Sequence, residues 1–275
     1  MRRYALNPAT PVLLRPDGAV QVGWDPRRAV LVRPPSGLSA TTLADLLRRL
    51  QSGATQAEIQ CHADDVDVST VADLLASLVD AGVVTTTAPR RANAPCIRIH
   101  GRGPLSDLLT GALRCSGARI THTSRAHSGA PSEPTDLVVL TDYLVCDPWM
   151  VRDLHAARVA HLPVRIRDGA GLVGPLVIPG VTSCLECADL HRSDRDGAWP
   201  AVAAQLRDTV GNADRATVLA TAALALNQVD HVIRAVRDEG GTPEPPLTLD
   251  TTLEFDVNVG SVVARRWSRH PRCSC

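Results

Sequence analysis

The sequence predicts an α/β protein in two parts: a winged-helix (α+β) domain over residues 1–88, and a doubly wound α/β domain over 97–275 carrying a structural zinc knuckle. Residues 89–96, rich in Ala, Pro and Arg, read as the linker. Three observations carry this. Short strands, three helical segments and a closing strand fit into the first 88 residues. Beyond the linker, strand and helix patterns alternate, with short strands read as buried, as in a parallel sheet covered on both faces. Two close cysteine pairs, Cys184/Cys187 and Cys273/Cys275, then suggest one metal centre joining distant segments.

The first domain begins with a hairpin, PVLLR and AVQVG about the turn Pro16-Asp17-Gly18, followed by a third strand, RAVLV. In LSATTLADLLRRL, Leu43, Leu46, Leu47 and Leu50 recur at helical spacing. A short second helix covers Ala54–Gln60. The third, VSTVADLLASLVDAG, aligns Val71, Leu74, Leu75, Leu78 and Val79, with Gly82 as its stop. VVTTT closes the domain.

In the second domain the strand CIRIH runs into Gly101-Arg102-Gly103-Pro104-Leu105-Ser106, a helix follows, and ARITHT is the next strand. DLVVLTD is a buried strand, and a helix lies near Trp149–Ala160. PVRIR and GLVGPLVIP are read as two more strands. Helices near Pro200–Val210 and over Asp214–Arg237 precede the strands LTLDTTLEFDV and SVVARRW. The long helix is too apolar to face solvent, so it is either a central buried helix or a dimer interface.

Composition excludes several functions. Basic and acidic residues balance at 29 each, and all the basic ones are arginine; the lack of lysine fits a high-GC, actinobacterial-type coding. No side chain can form a Schiff base, and no P-loop lysine exists. Residues 1–88 hold eight arginines against nine acids, and the third helix carries Asp73 and Asp80 but no arginine, which argues against a DNA-binding regulator. No export signal and no membrane-length apolar run is read, so a cytoplasmic protein is expected. Cys96, Cys115 and Cys146 sit beside apolar residues and read as small buried hydrophobes.

Tetrahedral zinc takes four thiolates from two knuckles, which C-x-x-C and C-x-C supply; a redox C-x-x-C would belong to a thioredoxin-like helix that is not found here. His191 and His270 lie close enough in sequence to replace one cysteine. A site with four protein ligands has no open position and is structural.

Gly101-x-Gly103-x-x-Ser106 occupies the strand-to-helix position where a glycine loop binds phosphate. Serine replaces the third glycine, which questions close helix–strand packing, and the second strand ends without an acidic ribose ligand. Asp142 stands either as a magnesium or ribose ligand or as a cap at a strand end. The loop is read as degenerate, and ATP is disfavoured. Arg192, Asp194, Arg195 and Asp196 form a charged run, either a self-paired loop or a partner contact.

The G-x-G loop, the Thr-Asp after the apolar strand, the run Cys184-x-x-Cys187-x-x-x-His191-Arg192-x-Asp194-Arg195-Asp196-x-x-Trp199-Pro200 and the final HPRCSC resemble the ubiquitin-activating-type, or ThiF-like, fold. They are most similar to the cyclodehydratase partner proteins of thiazole/oxazole-modified peptide biosynthesis. The N-terminal region resembles the PqqD-like winged helix that binds leader peptides. The resemblance implies an accessory subunit, non-catalytic or weakly catalytic, often homodimeric. It would hold a precursor peptide for a separate ATP-using YcaO-type enzyme. Val20, Val22, Val30 and Val32 on strands, and Val71, Leu74, Leu75 and Leu78 on the third helix, would be available to the peptide by strand addition. The alternative reading is an ATP-dependent adenylyltransferase, for which Cys146 is the one tempting transfer thiol.

Overall fold

A computed structural model describes residues 2–63, 66–87, 94–124, 133–237 and 245–275. Most of the expected linker, up to residue 93, lies outside them. The chain divides into two compact units, with the main break between residues 92 and 93.

The first unit contains two three-stranded sheets. In one, β1 (Arg3–Leu6) lies between β5 (Ala54–Thr55) and β6 (Val84–Thr87), antiparallel to both. The other is the antiparallel meander β2 (Val12–Leu14), β3 (Val20–Val22) and β4 (Val30–Val32). The sequence reading found the meander but neither β1 nor β5. RYAL has polar neighbours and AT is two residues long, so neither shows a period to detect.

Three helices cover these sheets, each started by a side-chain cap. Ser39 Oγ accepts from Thr42 N at 3.0 Å to begin α1 (Ala40–Leu50). Thr55 and Glu58 form a reciprocal capping box on α2 (Gln56–Gln60). Asp67 accepts from Thr70 N at 2.8 Å at the start of α3 (Val68–Asp80). Leu43, Leu46, Leu47, Leu50, Val71, Leu75 and Leu78 all enter one core with Val20 and Val22. Gly82 ends α3 at φ +68°, a left-handed position that glycine takes without strain.

The second unit is built on a seven-stranded sheet in the order β13-β12-β11-β10-β9-β7-β8. Its strands are β7 (Cys96–His100), β8 (Arg119–Thr123), β9 (Leu137–Thr141), β10 (His161–Arg167), β11 (Ala170–Val173), β12 (Thr251–Asp256) and β13 (Ser261–Arg266). Only β8, β7, β9 and β10 run parallel; the pairs from β10 to β13 are antiparallel. The expected wholly parallel sheet is therefore a mixed one. GLVGPLVIP is not one strand either: β11 stops at Val173, and Gly174 turns at φ +95°, where a Cβ would lie 2.5 Å from the Thr251 carbonyl oxygen.

The helices are α4 (Pro104–Leu113), α5 (Pro148–Ala156), α6 (Leu185–Arg195), α7 (Trp199–Leu206) and α8 (Arg215–Arg237). α8, at 23 residues, is the one described helix long and apolar enough to cross a bilayer. Here its apolar face packs on the sheet: Val218, Ala222, Ala225, Val229 and Ile233 join a core with Ile97, Ile99, Val139, Val164 and Val173. Gly171 on β11 permits the approach, because a Cβ there would lie 1.8 Å from Thr221 Oγ1.

Two expectations need correction. The charged run at 192–196 is not a loop but the last turn of α6 and its cap, which the polar composition concealed. Cys115 is exposed and Cys96 and Cys146 are only half-buried, Cys146 packing against the edge of a core cluster, so none is the fully buried hydrophobe expected.

Candidate metal centre and the loop after the first parallel strand

Cys184 caps the N-terminus of α6, and its Sγ accepts from Cys187 N at 3.4 Å, so the C-x-x-C spacing is held by helix geometry. The chain returns from β13 to bring Cys273 and Cys275 alongside. Sulfur–sulfur separations are 3.7 Å for Cys184–Cys187, 3.5 Å for Cys184–Cys273 and 3.4 Å for Cys187–Cys275. All four sulfurs lie within 4.8 Å of one another. These are too long for disulfides, which need about 2.05 Å. They lie near the edge, about 3.8 Å, of a tetrahedron with metal–sulfur bonds of about 2.3 Å. The group can hold a metal ion.

Cys184 and Cys187 are fully buried. As free thiols, burial pushes the Cys184 pKa up and raises Cys273 to about 11. Burial also opposes ionisation of Cys187, but the His270 N–H, donating to its sulfur at 3.3 Å, helps to carry it below the ordinary thiol value.

The two nearby histidines do other work. His270 Nδ1 accepts from Arg272 N at 3.1 Å, so its Nε2 carries the proton and donates to Asp194 Oδ2 at 2.8 Å. Arg272 pairs with the other Asp194 oxygen. The His270 hydrogen bond is the main reason that the Asp194 carboxyl is more acidic than usual. His191 Nε2 donates to Ser268 O at 3.1 Å, and its ring meets that of His270 edge-on at 4.7 Å. Asp194 and His191, three residues apart on α6, thus tether residues 268–272, which carry the second knuckle.

The remainder of the charged run also has local roles. Arg192 donates to Asp189 Oδ1 at 2.7 Å and lies between the rings of Trp199 and Trp267. Arg195 Nε bonds the His191 carbonyl at 3.1 Å, and Asp196 Oδ1 accepts from Ala198 N at 2.9 Å.

The glycine loop lies where the strand order reverses between β7 and β9, the usual crevice of open α/β sheets. The backbone donors from Gly103 to Asp107, at the start of the helix, are satisfied within the chain. Pro104 has no N–H, Leu105 N donates to Asp142 Oδ1 at 3.0 Å, and Ser106 N donates to Asp142 Oδ2 at 3.2 Å. Asp107 N bonds the Gly103 carbonyl at 3.2 Å, and Gly103 N bonds Ser106 Oγ at 3.0 Å. His122 Nε2 donates to Gly101 O at 3.0 Å.

Ser106 fits this arrangement. It is fully buried and its hydroxyl ties the loop, so the expected packing problem does not arise. Gly101 and Gly103 are both required here: a Cβ on Gly101 would lie 2.0 Å from Thr141 Oγ1, and one on Gly103 would lie 2.8 Å from the Asp142 carboxylate. Asp142 itself sits at φ +71°, an uncommon position for a residue with a Cβ. The cavity beside it, lined by His100, Thr141, Tyr143 and Arg207, measures about 30 Å³, space for a water or two rather than a nucleotide. Cys146 borders that cavity, and burial raises its thiol pKa, which suits packing rather than transfer chemistry.

Among the residues predicted for peptide contact, Val20, Val22, Val71, Leu75 and Leu78 are buried, while Val30, Val32 and Leu74 are half-buried. On the opposite face of the meander, exposed Leu13 and Leu31 flank half-buried Gln21 in one cross-strand row. Strand alternation could have placed Leu13 and Leu31 on that face, out of phase with the valines.

No family model matches the chain, and no curated protein matches it in sequence. Solved structures do. The heterocyclase TruD aligns over 100% of this chain and 42% of its own, at 18% identity and a TM-score of 0.67. A heterocyclase in complex with substrate and cofactor aligns over 100% of this chain and 39% of its own, at 17% identity and a TM-score of 0.68. This chain therefore spans about two fifths of those proteins. Escherichia coli MccB, in a structure with ATP, aligns over 99% of both chains at 12% identity and a TM-score of 0.58. MccB is also described as a microcin C7 biosynthetic enzyme, in complex with N-formylated MccA. The chain shares the fold of these proteins.

Proposed function

We propose that the protein is an accessory subunit of peptide modification, a ThiF-like scaffold that binds a precursor peptide and presents it to a separate YcaO-type cyclodehydratase. The observation that carries this reading is the closed glycine loop. Asp142 supplies from within the chain the negative charge that a nucleotide would bring to the start of α4. No lysine is present to clamp a phosphate. The fold shared with the heterocyclases supports the same role.

In this reading the four cysteines hold one zinc ion. Four thiolates and no open position suit a structural metal, and its binding free energy would fix the second knuckle to α6.

The first unit would act as a PqqD-like winged helix. Among the described residues, β4 pairs with β3 alone, so its outer backbone edge is free to receive an extended peptide. At the other edge, β2 is partly occupied by Arg48 of α1, which donates to the Val12 carbonyl at 3.2 Å. Half-buried Val30 and Val32, with exposed Leu31, would contact side chains of the added strand. A homodimer is part of the same proposal.

The test is a pull-down from the source organism with the full-length chain, followed by calorimetric titration of any recovered short peptide. Binding weakened by Val30→Pro and Leu31→Asp supports the reading. No recovered peptide or YcaO-type enzyme, or binding indifferent to both variants, overturns it.

The fold shared with MccB along the whole chain favours one competing reading, an ATP-dependent adenylyltransferase. Pyrophosphate exchange with ATP and magnesium, together with ATP binding tighter than about 10 μM, would establish that instead.

A further inference from the structure

A second feature of the α/β unit has no place in that scheme. Between α5, α6, β10 and β13 lies a cleft of about 1280 Å³, larger than the 300–1,000 Å³ usual for small-molecule pockets. Its size suits a stretch of polypeptide.

The lining is rich in arginine and tryptophan, the residues that dominate binding hot spots. Arg192 forms a rigid wall, its guanidinium 5.2 Å from the Trp199 ring centre and 5.1 Å from that of Trp267. Asp189 holds it in place and also accepts from Trp199 Nε1 at 3.2 Å. Trp267 Nε1 is bonded to Thr252 Oγ1 at 2.9 Å. Both indoles are thus fixed and present faces rather than seek partners.

Arg165 and Arg167, two apart on β10, project from the same face of the sheet toward this wall. Arg167 is paired with Glu254 at 3.2 Å. Among the described residues, Arg165 donates only to the neutral Leu144 carbonyl, at 2.8 Å, and meets no carboxylate within 4 Å. Burial, with the Arg165 and Arg167 charges added to it, pushes the Arg192 pKa down against the opposing pull of Asp189. Toward the rim, Arg152 and Arg266 likewise have no acidic partner among the described residues.

The lining also includes acids. Asp189 and Asp194 are committed to partners within the chain, Asp168 is 4.0 Å from Arg167, and Glu186 and Asp196 lie on α6 and at its end. None of them meets Arg165.

We infer that this cleft binds an acidic peptide segment, whose carboxylates pair with Arg165 inside and with Arg152 and Arg266 at the rim. This site is separate from the strand edge of the first unit and does not depend on it. Arg165 offers a planar, two-pronged donor to a carboxylate, and the Trp-braced wall gives the backbone an apolar surface.

The experiment is calorimetry on the full-length, metal-loaded chain with a capped decapeptide of alternating Glu and Gly, beside its Gln-for-Glu analogue. The Glu peptide should bind and weaken with added salt, and the Gln peptide should not bind. Arg165→Gln should weaken binding about tenfold, a 1.4 kcal/mol loss, with partial recovery in Arg165→Lys. Arg266→Gln, at the exposed rim, should weaken it less and guards against a folding defect in the Arg165 variants. Leu31→Asp should leave it unchanged, which separates this site from the proposed leader-peptide edge. Equal binding of the Gln peptide, no effect of either arginine variant, loss in Leu31→Asp, full competition by equimolar inorganic phosphate, or no binding at millimolar peptide would each overturn the inference.

Discussion

Asp142 caps Ser106: the carboxylate at the end of β9 accepts the Ser106 N–H at 3.2 Å while its other oxygen takes that of Leu105 at 3.0 Å. A side chain from one strand of the reversal point thus fills the helix start offered by the other. The contact both stabilises α4 and denies the site to an outside anion, and one substitution can separate the two effects.

Asp142→Ala should cost about 1–2 kcal/mol of stability, the scale of a lost helix cap. It should also open the first turn of α4, so that pyrophosphate binds the variant measurably more tightly than the parent. Asp142→Asn keeps the shape and one acceptor oxygen, so it should lie between them in stability. Thermal melts with and without pyrophosphate measure both. Identical pyrophosphate response in parent and alanine variant would show that the carboxylate does not guard the site.

The cysteine cluster makes a direct prediction about metal content. The purified protein should contain about one zinc per chain, and Cys273→Ser should lower both zinc content and melting temperature. Chelator treatment of the parent should reproduce that loss. Metal analysis with calorimetric melting decides it; a metal-free preparation that melts unchanged would leave the cluster as four packed thiols.

Asp194 should matter to the metal without touching it. It orients His270, whose backbone N–H donates to Cys187 Sγ, and it pairs with Arg272 one residue before Cys273. Asp194→Ala should therefore weaken zinc about 10–100-fold while leaving the stoichiometry at one, the usual effect of losing such support. Competition with a chromophoric chelator reads the affinity. An unchanged affinity would confine Asp194 to surface charge.

What could be read from the sequence followed physical scale. Strong periodicity in α1 and α3, the apolar composition of α8 and the continuous apolar run of β9 located those elements because burial selects residues one by one. The cysteine spacing located the sulfur cluster because tetrahedral ligation is local within each knuckle. What stayed hidden depends on pairing across long stretches of chain. β1 is defined by partners fifty and eighty residues away, and RYAL has no pattern of its own. The charged end of α6 looks like a loop until Asp189, Asp194 and the tryptophans are seen to use it. The role of Asp142 is of the same kind: its position beside the glycine loop was visible, but the choice between ligand and cap rests on a backbone turn at φ +71°.

Acid should destabilise the protein through two buried histidines. His161 is fully buried; its Nδ1 donates to the Val159 carbonyl at 3.0 Å, and its Nε2 has no hydrogen-bond partner. Burial lowers its pKa from 6.5 to about 4, and burial followed by the Arg98 charge does the same for His100. The folded state therefore resists protonation that the unfolded chain accepts. The resulting stability is intact above about pH 6.5, falls as pH drops toward 4, and levels off below that. For His161 alone the loss is about 2 kcal/mol by pH 5. Metal ligands also protonate in acid, so the useful quantity is the difference between the parent and His161→Phe, which share the cysteine cluster. Urea melts at pH 7, 6 and 5 should show the parent losing more stability than the variant, by about that amount at pH 5. Parallel pH curves for the two proteins would mean that His161 takes up its proton as easily folded as unfolded.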